Sequence, residues 1–148
     1  MGLPRYQMTE EEIEAVLRTE GYGVLSMADD GVGYGVPLSF GYRDGRLFFV
    51  LQRQGQESRK QQFADASEVV SFLVSDVRSR DDWCSVILTG WLRPVDDEWD
   101  VLSAALDDNA WFPSLFSEAE PMQNWLGYEL VVEEQSGLKG STFTCTEP

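Results

Sequence analysis

Three consecutive residues, Ser58-Arg59-Lys60, combine a hydroxyl, a planar guanidinium and a compact ammonium. They stand where the pattern predicts a short helix over 58–64, with Ser58 as its N-cap. Free N–H groups and the positive end of the helix dipole gather at such a terminus, so the set forms a cradle for a phosphate. Two surface bases beside an N-cap also arise by chance. Scarcity raises this pair above that reading. The chain has 26 acidic side chains against nine arginines and two lysines, for a net charge of −15, and one of the two lysines is spent here. Arg78-Ser79-Arg80 is the nearest rival, but Asp81 and Asp82 follow it directly.

Other chemistries are removed by absence. The chain has no histidine, which excludes Ser-His-Asp and Cys-His catalysis and His-ligated zinc or haem. Cys84 and Cys145 are far apart and belong to no CxxC pair, so neither a disulfide framework nor a metal site is expected. Acid–base work would fall to carboxylates, Arg, Lys, Tyr, water or a cofactor. The acidity argues against nucleic acid as a partner. It fits adaptation to high salt, where molar salt shortens the Debye length to about 3 Å and removes carboxylate repulsion, or an ordinary acidic cytosolic protein. No apolar run reaches the roughly 18 residues of a membrane span, and the N-terminus carries no secretory pattern. A cytoplasmic protein with no membrane partner is expected.

The elements that must position the triplet can be read along the chain. Thr9 and Glu12 form a capping box, and Ile13, Val16 and Leu17 give one apolar stripe of a helix that Gly21 ends. Strands are predicted over 22–28, 34–42 and 46–51, with Asp44-Gly45 as a hairpin turn between the last two. A polar loop over 53–57 leads to the 58–64 helix. Further strands are predicted over 69–74, 83–95 and 128–133. A helix over 96–108 carries Trp99, Leu102 and Leu106 on one face, and 111–121 reads as irregular. The glycines of Gly31-Val32-Gly33-Tyr34-Gly35 lead into a strand, so they place no phosphate on a helix N-terminus. Three strands in succession, then strands with helices between, predict one domain over 1–148. Its fold class is mainly β with peripheral helices, a six-stranded antiparallel barrel.

The order and spacing of several segments carry a resemblance. Tyr34 to Tyr42 reads YGVPLSFGY, followed by Asp44-Gly45, Leu47-Phe48-Phe49, the Ser58-Arg59-Lys60 triplet and the VVSFLV run over 69–74. Together they resemble the pyridoxamine 5'-phosphate oxidase-like family of FMN-binding split β-barrels, most of all its nitroimidazole-resistance branch. The similarity covers 9–95 best. It treats 96–121 as a helical insertion and resumes over 124–145 as a final strand and tail. It implies a homodimer with FMN at the interface and the FMN phosphate on Ser58, Arg59 and Lys60. It also implies that Val36, Pro37, Leu38 and Ser39 run along the flavin ring, offering backbone groups to it. Val50, Leu51 and Gln52 would complete the wall, with Trp91 near the flavin from either subunit. Taken singly, Val36, Leu38 and Val50 read better as barrel core, and Trp91 reads equally well as a core or interface residue.

The resemblance implies an FMN-dependent oxidoreductase acting on a small-molecule substrate, with NAD(P)H as a candidate electron donor. No catalytic side chain is named, since the flavin would carry the redox chemistry. Departures point away from pyridoxamine phosphate oxidation itself. By spacing, Tyr34 stands where the oxidase has an arginine, Ser39 stands where it has a lysine, and an Arg-x-His cannot occur in a chain without histidine. Alternatives are a flavin-binding or sensing module without turnover, a deazaflavin binder, and a flavin-free dimeric split barrel.

Overall fold

The structure, a computed structural model, describes residues 5–52, 59–110 and 125–145. Its strands are β1 (Arg5–Gln7), β2 (Tyr22–Asp29), β3 (Val32–Ser39), β4 (Gly41–Arg43), β5 (Arg46–Gln52), β6 (Val70–Val77), β7 (Trp83–Val95) and β8 (Trp125–Gly140). The helices are α1 (Glu10–Thr19), α2 (Arg59–Ala66) and α3 (Trp99–Asn109). The predicted stretch over 111–121 lies outside the described residues.

All pairings are antiparallel, in the order β3-β2-β6-β7-β8-β5-β4, with β1 added on β8. Phe40 alone separates β3 from β4, so the two ends of this order are one bent strand and the sheet curls back on itself. The pattern predicts six strands, whereas the described residues form eight. β1 is three exposed residues with no apolar period to betray it. The single strand expected over 34–42 is broken at Phe40, whose buried ring meets Phe72 edge-on at 5.4 Å.

Alternation decides what fills the barrel. On β7, Cys84, Val86 and Leu88 are buried while Ile87 and Trp91 are exposed, the period-2 pattern of a strand with one face in a core. Leu25, Phe49, Phe72, Val74 and Leu130 join them from the other strands. Each such side chain stabilises the fold by about 1.5–3 kcal/mol through burial. The capping box is formed as expected. The Thr9 hydroxyl accepts from the Glu12 N–H at 3.2 Å, and the Glu12 carboxylate accepts from the Thr9 N–H at 3.0 Å. Ile13, Val16 and Leu17 then bury against the barrel.

The outer face of the sheet divides in two. Over β4 and β5 it is covered by α3, whose Leu102, Ala105 and Leu106 pack on Phe48, Val50 and Val95. Over β2, β6 and β7 no described element covers it. There Leu73 is 37% exposed, Ile87 45% and Trp91 41%, with Val24 in the same cross-strand row as Leu73 and Ile87. Ser26, Ser71, Ser75, Ser85 and Thr89 surround them. These three strands present no charged side chain on that face between Tyr22 and Trp91, in a chain that is 25% charged. Among the described residues no helix is long and apolar enough to cross a membrane.

Candidate functional site

Beyond the Asp44-Gly45 turn, β4 and β5 pair only from Gly41↔Phe48 to Arg43↔Arg46. Past Phe40 the two chains part. β3 pairs with β2, and β5 runs on to Gln52 paired with β8. The strand pairing is therefore split by a gap, or cleft, between one edge of β3 and one edge of β5, and among the described residues no strand occupies either edge. The direction of each β3 backbone group follows from two observations. The Phe40 N–H donates to the Gly21 carbonyl at 3.1 Å, in register with the Tyr22↔Ser39 pairing. Pro37, which has no N–H, sits one place out of phase with that bond. Val36 and Leu38 thus spend their backbone groups on β2, while Gly35 and Pro37 aim theirs at the cleft. Along that edge point the Gly35 N–H and the Gly35 and Pro37 carbonyls.

α2 connects the two sides. The chain leaves β5 at Gln52 and returns as α2, whose Phe63 and Ala64 are buried in the main core. The Phe63 ring stacks on Tyr34 of β3, with centroids 4.9 Å apart and planes 18° apart. Just past the helix, the Ser67 hydroxyl lies 2.9 Å from the Ala28 carbonyl and 2.6 Å from the Phe63 carbonyl, and it accepts from the Ala28 N–H at 3.0 Å. The helix is thereby fastened to β2 and β3, with its first turn, Arg59 and Lys60, on the side from which the chain arrives.

Most other cations are committed. Arg46 and Arg93 form a closed set with Glu129 and Glu98, joining β5, β7, β8 and the start of α3. Hydrogen bonds from Arg46, and then from Arg93, hold Glu129 below the ordinary carboxylate range against the opposing effect of burial. Arg43 grips Asp108 at the far end of α3 through two bonds of 2.6 and 2.8 Å. Lys139 pairs with Glu12, and that bond is the main reason Glu12 is also held low. The rival triplet is weakened as an anion site. Arg78 bonds Asp76 at 2.8 Å, approaches Asp82 at 3.6 Å and covers the Phe143 ring. Burial pushes the Cys84 thiol up to about 12, so Cys84 stays protonated in the core.

The expected site residues fall as follows. Val36 and Leu38 direct their side chains into the main core. Pro37 is exposed on the opposite face, and the buried Ser39 hydroxyl donates to the Gly21 carbonyl at 2.9 Å. Val50 is packed under α3, and Leu51 lies in the main core. Trp91 is on the outer face of the sheet, away from the cleft. Ser58 lies outside the described residues, as do the side chains of Gln52, Arg59 and Lys60. Sequence reasoning missed Gly35 at the cleft edge and Tyr34 beneath α2. The missing N–H of Pro37 was the available signal for the first, since it fixes which residues face outward.

A barrel that is split along one edge of a bent strand, with a helix fastened across from the other edge, defines a split-barrel fold. The chain belongs to the pyridoxamine 5'-phosphate oxidase family, whose family model matches residues 9–139. Solved structures with the same fold include a FAD-binding protein from Mesorhizobium loti at 22% identity. That pair has a TM-score of 0.74 and covers 94% of this chain and 100% of the other. A FAD-binding protein from Mycobacterium smegmatis is similar at 16% identity and a TM-score of 0.64, over 89% and 95% of the two chains. A proposed 5-nitroimidazole antibiotic resistance protein from Bacteroides thetaiotaomicron is similar at 17% identity and 0.68, over 93% and 89%. No protein of curated function matches the sequence.

Proposed function

We propose that the protein is a homodimeric FMN-dependent oxidoreductase of a small-molecule substrate, with its flavin in the cleft between β3 and β5. The observation that carries this reading is the cleft itself, along which the β3 edge turns the Gly35 and Pro37 backbone groups away from β2. The Gly35 N–H and the Gly35 and Pro37 carbonyls suit the polar rim of an isoalloxazine ring. The residues present fit the group. The FMN phosphate goes to the first turn of α2, on Arg59 and Lys60 with Ser58 before them, where a local excess of positive charge offsets the negative field of the chain. A bound flavin supplies the hydride and electron chemistry, and the protein supplies binding and orientation.

The second subunit is expected on the charge-free face of β2, β6 and β7. Two chains of net charge −15 repel at long range, so a face without carboxylates is where a copy approaches at least electrostatic cost. Trp91 is the aromatic residue that such an interface would bury, and its place near flavin is across the interface. The FAD-binding relatives support a flavin, and the single phosphate cradle on α2 favours FMN. The test is reduction of the FMN-loaded protein by NADH or NADPH under anaerobic conditions. Loss of the flavin band near about 450 nm, restored by an electron acceptor, is expected. A loaded protein whose spectrum neither donor changes would be a flavin-binding module without this turnover.

A further inference from the structure

We infer that Tyr34 and Ser67 are positioning residues for anion binding, because they set where the first turn of α2 stands relative to the cleft. The inference rests on the α2 phosphate site proposed above. α2 has eight residues, and helices that short do not hold themselves in water. Its place is therefore set by tertiary contacts. Two of them are on the two paired strands β2 and β3. The Tyr34–Phe63 stack ties the middle of the helix to β3, and Ser67 ties its end to Ala28 of β2. Arg59 and Lys60 are one turn upstream of Phe63 and Ala64, so a rotation or slide of the helix about these ties moves the first turn directly. Neither Tyr34 nor Ser67 has to touch the ligand. The stack also couples the cleft edge to the anion site, since Tyr34 is the neighbour of Gly35 on the same strand. Phosphate contacts are sharply dependent on direction, so a small displacement of the turn weakens them while leaving ring contacts along β3 in place.

The experiment titrates apo-protein with FMN and with riboflavin, which lacks the phosphate. It compares the wild type, Tyr34→Ala, Tyr34→Phe, Ser67→Ala and the double variant Arg59→Gln/Lys60→Gln. The stack is worth about as much as other aromatic pairs, so Tyr34→Ala should weaken FMN about three- to tenfold and leave riboflavin within about twofold. Tyr34→Phe keeps the ring and should bind FMN as the wild type does. Ser67→Ala should show the same selective loss to a smaller degree. In the double-variant background, Tyr34→Ala should have no further effect on FMN, the coupling expected of residues acting through one contact. Equal losses for both ligands in Tyr34→Ala and Ser67→Ala, with the double variant still selective for FMN loss, would overturn the positioning role and leave the phosphate site standing. A double variant that does not distinguish FMN from riboflavin would remove the phosphate site and the positioning role with it.

Discussion

At the scale of single residues, Glu129 holds the most concentrated electrostatics among the described residues. It accepts from Arg46 at 2.9 and 3.0 Å and from Arg93 as well, with its side chain only 12% exposed. Its folded-state value is depressed, so its contribution is present above the ordinary carboxylate range. That contribution is lost as the pH falls through the depressed value. Glu129→Gln should cost about 1.5–3 kcal/mol at neutral pH, the size of charge-assisted hydrogen bonds. Urea melts of wild type and variant should converge as the pH falls below the ordinary carboxylate range and through the depressed value of Glu129. A gap that stays constant with pH would mean that packing, and not charge, holds this corner. Glu20 runs the other way. Burial first, and then the charge of Asp76, raise it, so its favourable contribution exists at low pH and is lost as the pH rises through the raised value. At this scale the sequence showed the capping box and the scarce Arg59-Lys60 pair, since both are local. It hid the Arg46–Glu129 and Tyr34–Phe63 contacts, which join residues tens of positions apart.

At the scale of elements, α3 is fixed at both ends, by Arg46 and Arg93 on Glu98 and by Arg43 on Asp108. Between those ends it lies directly on β4. A Cβ added at Gly41 would stand 2.3 Å from the Ala105 carbonyl carbon and 2.3 Å from the Leu106 nitrogen, both backbone atoms that cannot turn aside. Gly41→Ala should therefore lift the helix and cost about 1–3 kcal/mol or more in a thermal or urea melt. A stability unchanged from the wild type would mean that α3 is loosely docked. Trp99, Leu102 and Leu106 announced this helix by their spacing. Asp44-Gly45 announced the hairpin, and its φ values of 53° and 78° are the left-handed pair such a turn requires. β8 was legible only in part, as 128–133 instead of Trp125–Gly140. Its second half, through Glu133, Glu134, Gln135 and Ser136, is exposed and reads as loop, and a register shift opposite Thr89 and Gly90 breaks the alternation. The family resemblance named 36–39 and 50–52, which the structure places on β3 and β5, the two strands that border the cleft. Which β3 groups face it was not legible, because that depends on hydrogen bonding to β2.

At the scale of the whole molecule, the charge of −15 and the charge-free sheet face act in opposite directions. Carboxylate repulsion loosens the compact state in dilute buffer, and salt screens it, so the melting temperature should rise from dilute buffer to molar KCl. A flat or falling dependence would assign the acidity another cause. The uncovered Leu73, Ile87 and Trp91 should bring two copies together, and light scattering should give about twice the 16.7 kDa chain mass. Ile87→Glu should yield a folded monomer, and a variant that stays dimeric would place the interface elsewhere. The central claim is that flavin lies along the outward edge of β3 and under the first turn of α2. Amide hydrogen exchange, with and without FMN, tests it most directly. The account predicts slowed exchange over 35–39 and 59–66, and no change in the β1–β8 pairing at Arg5–Gln7. Unchanged exchange along β3 at saturating FMN, or protection confined to the β1–β8 end, would contradict it.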